Sequence, residues 1–580
     1  MKSLLRSKWR LLLILSGILL GISFPPFGLV GGFCAFFALV PLLIALEDTS
    51  RVREAFSRGY LAMFVLTLIA TYWVGGWKGE GSVDPFLMIA GIALDFAHPL
   101  FLIIPILLYD ITRRKFGNVA ALVALPVYWI GFEFWHASGD FSFPWLSLYN
   151  TQTYNTAFIQ FIEFTGSYGL SLLILLVNIL LYSVVRFNKL FPRPIAAALA
   201  TASVNRYSRA KLAGICGLLL ILPYVYGFIV LTEDSAKSTR SIAITIIQPN
   251  INPWDKWSTE TQAITDSMER SSFTALRNSA IHSDLLLWPE TAITYPITIG
   301  WRASELQRLY SFIGEIGTPI LTGIPDREEY FKGKDGIPTD ARKTKDSLLF
   351  HRDWNSAMLF GKDLSGRFYH QRYHKQKLVP FGEKVPLVED IPVLGEIFQW
   401  GVGLGSWNSG EGYELFRLPF SGQLVTAPDT AKICTMICYE SVYPSYVREF
   451  TKRGAELITI ITNDGWYGKS SGPIQHNRFA VLRAVENRRW VARSANTGIS
   501  SVIDEKGRFT QEKPLFESAS ITARIPLLSE ITLYTKLGDY IAMPCEWATI
   551  GMVIFFLIGW IGRKFRNAPR KLQLKNVESD

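Results

Sequence analysis

Three short stretches of this 580-residue chain set a reactive side chain directly behind a run of apolar residues. Leu285-Leu286-Leu287-Trp288-Pro289 leads to Glu290. Lys375 is followed by the hinge-like Leu378-Val379-Pro380-Phe381-Gly382 and then by Glu383. Ile433-Cys434-Thr435-Met436-Ile437 ends at Cys438, with Tyr439 and Glu440 behind it. A carboxylate takes a proton as a general base, an ammonium holds a developing oxyanion, and a thiolate attacks a carbonyl carbon. Each stretch alone also has a plainer reading. Glu290 reads as a solvated loop residue, 373–383 as a basic surface strand and turn, and Cys438 as an inert buried thiol. Cys434 and Cys438 lack a His or second Cys pair at ligand spacing, so the sequence predicts no metal site.

The elements that must carry these residues come next. Short β-branched runs at Ser241–Ile247, Asp284–Leu287, Pro319–Gly323, Lys432–Ile437 and Leu457–Thr462 alternate with polar, helix-compatible stretches. This pattern predicts an α/β domain with buried strands. The polar stretch Asp326–Arg352 reads as a surface insertion.

The flanks read differently. The chain is 49% hydrophobic and only 19% charged, which excludes a disordered chain, a coiled coil and an ordinary soluble enzyme. With about 20 apolar residues needed per crossing, about eight candidate spans are visible. They lie at Leu11–Phe24, Phe27–Leu46, Tyr60–Trp77, Pro85–Tyr109, Val119–Trp135, Tyr168–Val185, Ala213–Leu231 and Ala548–Ile561. Asp95 and His98 share one face of the fourth, and Glu133 and His136 fall at the outer edge of the fifth. Basic residues cluster before the first span, at Arg51, Arg53 and Arg58, at Arg113–Lys115, along 186–211 and in the tail after the last span. The loop 137–167 has no Lys or Arg. The positive-inside rule then puts both termini in the cytoplasm and the α/β segment outside. The expected division is a membrane domain over 1–231, an outer catalytic domain over 232–545, and a last span with a basic tail over 546–580. The net charge of +10 is concentrated in the predicted cytoplasmic segments, and the rest of the chain is slightly acidic. The charge is a topology signal and not a nucleic-acid footprint.

Taken together, Glu290, Lys375 and Cys438 resemble the Glu–Lys–Cys triad of the nitrilase superfamily. The residues around them narrow the resemblance to the apolipoprotein N-acyltransferase family of bacterial envelopes. They are Trp288-Pro289-Glu290, Leu378-Val379-Pro380-Phe381-Gly382-Glu383 and Cys438-Tyr439-Glu440, with Gln248-Pro249-Asn250-Ile251 and Asn463-Asp464-Gly465-Trp466-Tyr467-Gly468 in support. In the membrane half, Phe143-Pro144-Trp145 and Gly166-Ser167-Tyr168-Gly169 add to it. The insertion 326–352 is long for that family.

The resemblance implies an α-helical membrane domain of about eight spans joined to a nitrilase-like αββα sandwich. It implies that Cys438 takes an acyl chain from a phospholipid as a thioester, with Glu290 as base and Lys375 on the oxyanion. The acyl chain then passes to the N-terminal amine of a diacylglyceryl-modified apolipoprotein. Glu383, Tyr439, Glu440, Trp257 and Trp466 carry over as supporting residues. No cofactor, metal or nucleic acid is implied, and the expected form is a monomer in the bacterial inner membrane with its catalytic domain in the periplasm. The apolar, Gly-rich stretch Val393–Trp407, with Phe398 and Trp400, reads as a lid dipping into the bilayer interface. A membrane-tethered amidohydrolase would use the same triad with water. A transporter with a sensor domain would need repeated halves, and no repeat is visible.

Overall fold

The computed structural model describes residues 2–76, 83–186, 206–234, 238–257, 261–332, 336–344, 348–363, 365–386, 407–420 and 429–566. The proposed lid at 393–407, including Phe398 and Trp400, lies outside the described residues except for Trp407.

The first half is helical: α1 (Lys2–Gly21), α2 (Gly28–Cys34), α3 (Val40–Leu46), α4 (Val52–Thr71), α5 (Pro85–Leu102), α6 (Ile104–Phe116), α7 (Asn118–His136), α8 (Ile162–Arg186) and α9 (Arg206–Thr232). The span expected over Phe27–Leu46 is not one helix. Between α2 and α3 the backbone tightens into i→i+3 bonds, such as Phe36 N to Phe33 O and Val40 N to Phe37 O. Asn178 of α8 takes up the groups this break frees. Its amide donates to Ala35 O (2.8 Å), and its carbonyl oxygen accepts from Leu39 N (2.9 Å). A break inside a membrane is tolerated only where protein satisfies the backbone in this way. The fourth expected span lies within one long apolar helix, Pro85–Phe116, which kinks at Ile103 between α5 and α6, where Pro99 and Pro105 each lack an N–H. Glu133 is buried within the protein. It accepts from Trp129 Nε1, Leu148 N and Ser171 Oγ.

Strands β1 (Ser241–Gln248), β2 (Leu285–Leu287), β3 (Ile320–Phe331), β4 (Arg342–Lys343), β5 (Leu349–Lys362) and β6 (Phe368–His374) form the first sheet with β13 (Ala519–Pro526). Strands β7 (Phe416–Phe420), β8 (Asp429–Ile437), β9 (Leu457–Thr462), β10 (Val491–Ala495), β11 (Ser501–Ile503) and β12 (Phe509–Glu512) form the second. The central strands β1, β2 and β3 are parallel, as are β8, β9 and β10. Their runs, such as Leu457–Thr462, are buried throughout, as parallel strands covered on both faces must be. The two sheets pack through β1 against β10 and β5 against β8. Helices α10 (Thr261–Asn278) and α11 (Ala303–Ile316) cover the first sheet. Helices α12 (Pro444–Lys452) and α13 (Ser471–Asn487) cover the second, and the short α14 (Leu533–Leu537) packs on both of these. The result is an αββα sandwich, after which the chain enters α15 (Ala542–Arg566).

The stretch expected as an insertion over 326–352 begins and ends in strand, with the short β4 between. β3 and β5 pair antiparallel from Ile320↔Phe360 to Phe331↔Leu349. Its first residue, Asp326, is buried beneath His374. The polarity that suggested a loop belongs to the outer ends of a long hairpin.

Among the described residues, six helices are long and apolar enough to cross a membrane: Val52–Gly75, Pro85–Phe116, Asn118–His136, Phe158–Arg186, Ala210–Thr232 and Ala542–Gly562. The sandwich docks on this bundle through buried polar contacts. Gln475 of α13 accepts from both Trp73 Nε1 (3.0 Å) and Trp145 Nε1 (2.6 Å), and donates to Pro25 O (2.8 Å) and Ala70 O (3.0 Å). Ser167 donates to Glu486 Oε2 (2.7 Å), and Arg488 pairs with Glu163 (2.8 Å).

Candidate active site

The C-terminal ends of parallel strands from both sheets point to one place, where α/β sheets characteristically hold ligands. β2 ends three residues before Glu290, β8 ends at Ile437 with Cys438 next, and β9 ends at Thr462 with Asn463 next. β6, at the side of the first sheet, delivers Lys375 immediately past its last residue.

Lys375 is completely buried, and its Nζ lies 3.2 Å from Glu290 Oε1 and 2.8 Å from Glu383 Oε1. Asn355 of β5 donates to both of those oxygens, at 2.7 and 2.9 Å. The other oxygen of Glu290 accepts from Asn463 N (3.1 Å), and that of Glu383 from Val379 N (2.9 Å). Burial by itself would lower the Lys375 pKa, but the charges of Glu290 and Glu383 overcome it and hold the ammonium well above its ordinary range. Glu290 is itself only 6% exposed.

Cys438 is half-buried and has a φ of 52°, a left-handed conformation that is uncommon for a residue with a side chain. Glu440 holds the turn. It accepts from Ile437 N (2.8 Å) on one oxygen, and from Gln376 N (2.7 Å) and Tyr373 Oη (2.6 Å) on the other. The carboxylate therefore ties the Cys438 turn to the segment just after Lys375. Burial and then the negative charge of Glu290 push the Cys438 thiol well above its ordinary pKa, while Lys375 opposes them.

The remaining expected residues divide. Tyr439 donates to Ser142 O (3.0 Å) and stacks on Trp145, which places it between the sandwich and the bundle. Trp466 packs edge-on against Trp254 at 4.9 Å. Trp257 is half-buried, and its indole N–H has no hydrogen-bond partner among the described residues.

Sequence reading missed three contributors, Asn355, Lys256 and His476, and named Asn463 and Asp464 only within a supporting motif. Lys256 is fully buried and donates to Glu290 O (3.2 Å) and Thr291 Oγ1 (2.9 Å), bracing a turn in which Thr291 has a φ of 49°. Burial pushes its ammonium down to about 7. Gly323 passes so close that a Cβ there would lie 2.5 Å from Glu290 Cα. One signal for Asn355 was legible, a polar residue opening the apolar end of β5.

Cys438, Asp464 and His476 bring a thiol, a carboxylate and an imidazole within 4.8 Å of one another. Asp464 is already paired with His476 Nδ1 (2.8 Å) and with Arg493 (2.6 Å). His476 Nε2 is engaged by Ser441 Oγ (3.0 Å) and by the Cys438 carbonyl (3.1 Å). With a guanidinium on the carboxylate and both imidazole nitrogens engaged, Asp464 and His476 brace the backbone of the nucleophile.

Cys438 opens onto a cavity of about 420 Å³. Its sandwich side is lined by Tyr439, Tyr467 and the Val379-Pro380-Phe381 segment, and its far wall by apolar residues of α5 such as Ile89, Ala93 and Ala97. α5 lies within one of the six long apolar helices. A thiol, a base, an ammonium and an apolar slot that reaches a membrane helix suit acyl transfer from a lipid ester.

Comparison with known proteins gives the same picture from another side. Residues 16–180 match the family described as apolipoprotein N-acyltransferase N-terminal domain, and residues 243–532 match the carbon-nitrogen hydrolase family. The chain is 33% identical over 551 residues to the apolipoprotein N-acyltransferase of Chlorobaculum tepidum, covering 94% of this chain and 95% of that one. It is 30% identical over 542 residues to that of Geobacter metallireducens, covering 92% of each. A mutant amidase of Nesterenkonia AN1 from the nitrilase superfamily, 18% identical, overlaps 50% of this chain and 92% of its own, with a TM-score of 0.33.

Proposed function

We infer the reaction from one premise: the chain belongs to the apolipoprotein N-acyltransferase family. The enzyme moves an acyl chain from a phospholipid to the N-terminal amine of an apolipoprotein. Residues 1–231 and 546–580 hold it in the inner membrane, with both termini cytoplasmic. Residues 232–545 carry the chemistry on the periplasmic side. It works as a monomer and without a cofactor.

Glu290 takes the thiol proton as Cys438 Sγ attacks the ester carbonyl. Lys375 and a backbone N–H past Cys438 stabilise the oxyanion, and Glu383 positions Lys375. The C–O bond breaks, the proton passes from Glu290 to the departing alkoxide, and a lyso-phospholipid leaves. The α-amine of the diacylglyceryl-modified cysteine then attacks the thioester and gives up a proton through Glu290. The Cys438 thiol is restored as the amide forms. Amide formation from a thioester is downhill, so no nucleotide is needed.

The observation that carries this reading is the apolar cavity joining Cys438 to α5. A lipid ester needs that path, whereas a small soluble amide does not, which weighs against an amidohydrolase. The test is direct. Full-length protein is incubated with phosphatidylethanolamine in mixed micelles, and mass spectrometry seeks an acyl adduct on Cys438. A diacylglyceryl lipopeptide is then added. The expected result is an adduct that is lost to the peptide as an amide. Activity persisting in Cys438→Ala would overturn the scheme.

A further inference from the structure

His98 of α5 and His136, the last residue of α7, face each other across the membrane side of the cavity. Their rings are near-parallel, with centroids 5.2 Å apart and an interplanar angle of 29°. They are 3% and 6% exposed, both line the cavity that reaches Cys438, and neither Nε2 has a hydrogen-bond partner among the described residues. Aromatic rings fix both. Phe143 meets His98 edge-on at 5.2 Å, and Phe132 stacks on His136 at 5.2 Å. Phe143 also stacks on Tyr439, the residue after the nucleophile, so the rings of Phe143 and Tyr439 connect the imidazole pair to the reaction centre.

A buried polar nitrogen left without a partner costs free energy, and a native structure that keeps two of them side by side calls for a reason. Four other polar groups on this cavity are engaged. Asp464 and His476 hold each other, and the indoles of Trp73 and Trp145 are taken by Gln475. An acyl chain offers an imidazole nothing. The glycerophosphate part of a phospholipid offers oxygens that only accept hydrogen bonds, and a neutral imidazole has one N–H to donate. These oxygens lie a few covalent bonds from the reacting ester, and the pair lines the same cavity as Cys438.

We propose that His98 and His136 form a subsite that donates to an acceptor oxygen of the acyl-donor phospholipid, either its phosphate or its second ester carbonyl. This rests on the acyl-transfer reading above. The pair selects glycerophospholipids and sets the register of the scissile ester against Cys438.

The test compares two donors on full-length protein, with acylation of Cys438 read by mass spectrometry. One is phosphatidylethanolamine. The other is a p-nitrophenyl ester of the same fatty acid, which has no glycerophosphate. In His98→Phe/His136→Phe, the ratio of the two acylation rates is expected to shift at least about tenfold against the phospholipid, the scale of one lost hydrogen bond to a buried partner. The His98→Gln/His136→Gln protein, which keeps N–H donors, is expected to recover most of that ratio. An unchanged ratio, or a Gln protein no better than the Phe protein, overturns the subsite. Absence of acylation from either donor in the unmodified protein would instead overturn the reaction itself. Diacylglycerol, and a phospholipid with an ether at the second position, identify the oxygen. Whichever donor no longer responds to the Phe changes lacks it.

Discussion

The Lys375 ammonium lies 2.8 Å from Glu383 Oε1, nearer than the 3.2 Å to Glu290 Oε1. The carboxylate outside the triad is thus the closer partner of the triad's cation. The Asn355 amide spans the same two oxygens and keeps both carboxylates facing the ammonium. The proposed scheme uses this arrangement, with Glu290 as the base for Cys438 and Glu383 holding Lys375.

Glu383→Gln removes the nearer charge while keeping the side chain's size. Thioester formation on Cys438 is expected to fall about 100-fold, the scale for losing a preorganised electrostatic contact, whereas a loss below about threefold would mean that Glu290 alone fixes Lys375. Rapid-quench mass spectrometry of the acyl-enzyme measures it.

The free enzyme should hold its nucleophile protonated. Burial and the Glu290 charge raise the Cys438 pKa, so alkylation by iodoacetamide should be slow at neutral pH and still climbing at pH 9, its ordinary value. Lys375→Met removes the group that opposes the rise and should shift the profile to higher pH. A plateau in the unmodified protein below pH 8 would contradict this account.

Gly323→Ala places a methyl where only 2.5 Å separates it from Glu290 Cα. The backbone of the Glu290 turn must move, at a cost of about 1–3 kcal/mol, typical of overpacking. Thermal unfolding should shift down, and acylation should fall by more than the stability loss explains, because the displaced group is the base. Gly314→Ala is the control, since its nearest neighbour is the flexible end of Lys362 at 3.3 Å.

Lys256 gives a pH dependence of stability with a definite sign. Its pKa is about 7 in the folded protein, against about 10.4 unfolded. Between those values the unfolded chain binds more protons, so stability rises with pH across the window. Below about 7 both states are charged and the penalty is constant. The unfolding temperature of the unmodified protein relative to Lys256→Met should therefore be flat below pH 7 and increase above it. A difference that shrinks as pH rises would remove this assignment.

Glu290 and Cys438 were legible as candidates because each follows a recognisable apolar strand, and strand ends are rigid, whereas the strand before Lys375, Phe368–His374, is polar. Spans with continuous hydropathy, such as Asn118–His136, were legible for the same kind of reason. The break between α2 and α3 was not. Nothing near Phe27–Leu46 announces it, because the group that makes it tolerable, Asn178, is 139 residues away from Leu39. Asn355, Lys256 and His476 were hidden likewise, since each acts on a residue remote in sequence. At 326–352 the sequence showed a polar surface stretch, but not that both its ends are strand or that Asp326 at its base is buried.

Gln475 has one amide, and both ends of it are committed to three separate parts of the bundle. A joint of that kind has no slip plane. The sandwich cannot rock against the helices without stranding an amide and two indoles, so the nucleophile keeps one height relative to the bilayer. The travelling is then left to the substrates. In the proposed reaction, donor and acceptor come in turn to a sulfur held in one place.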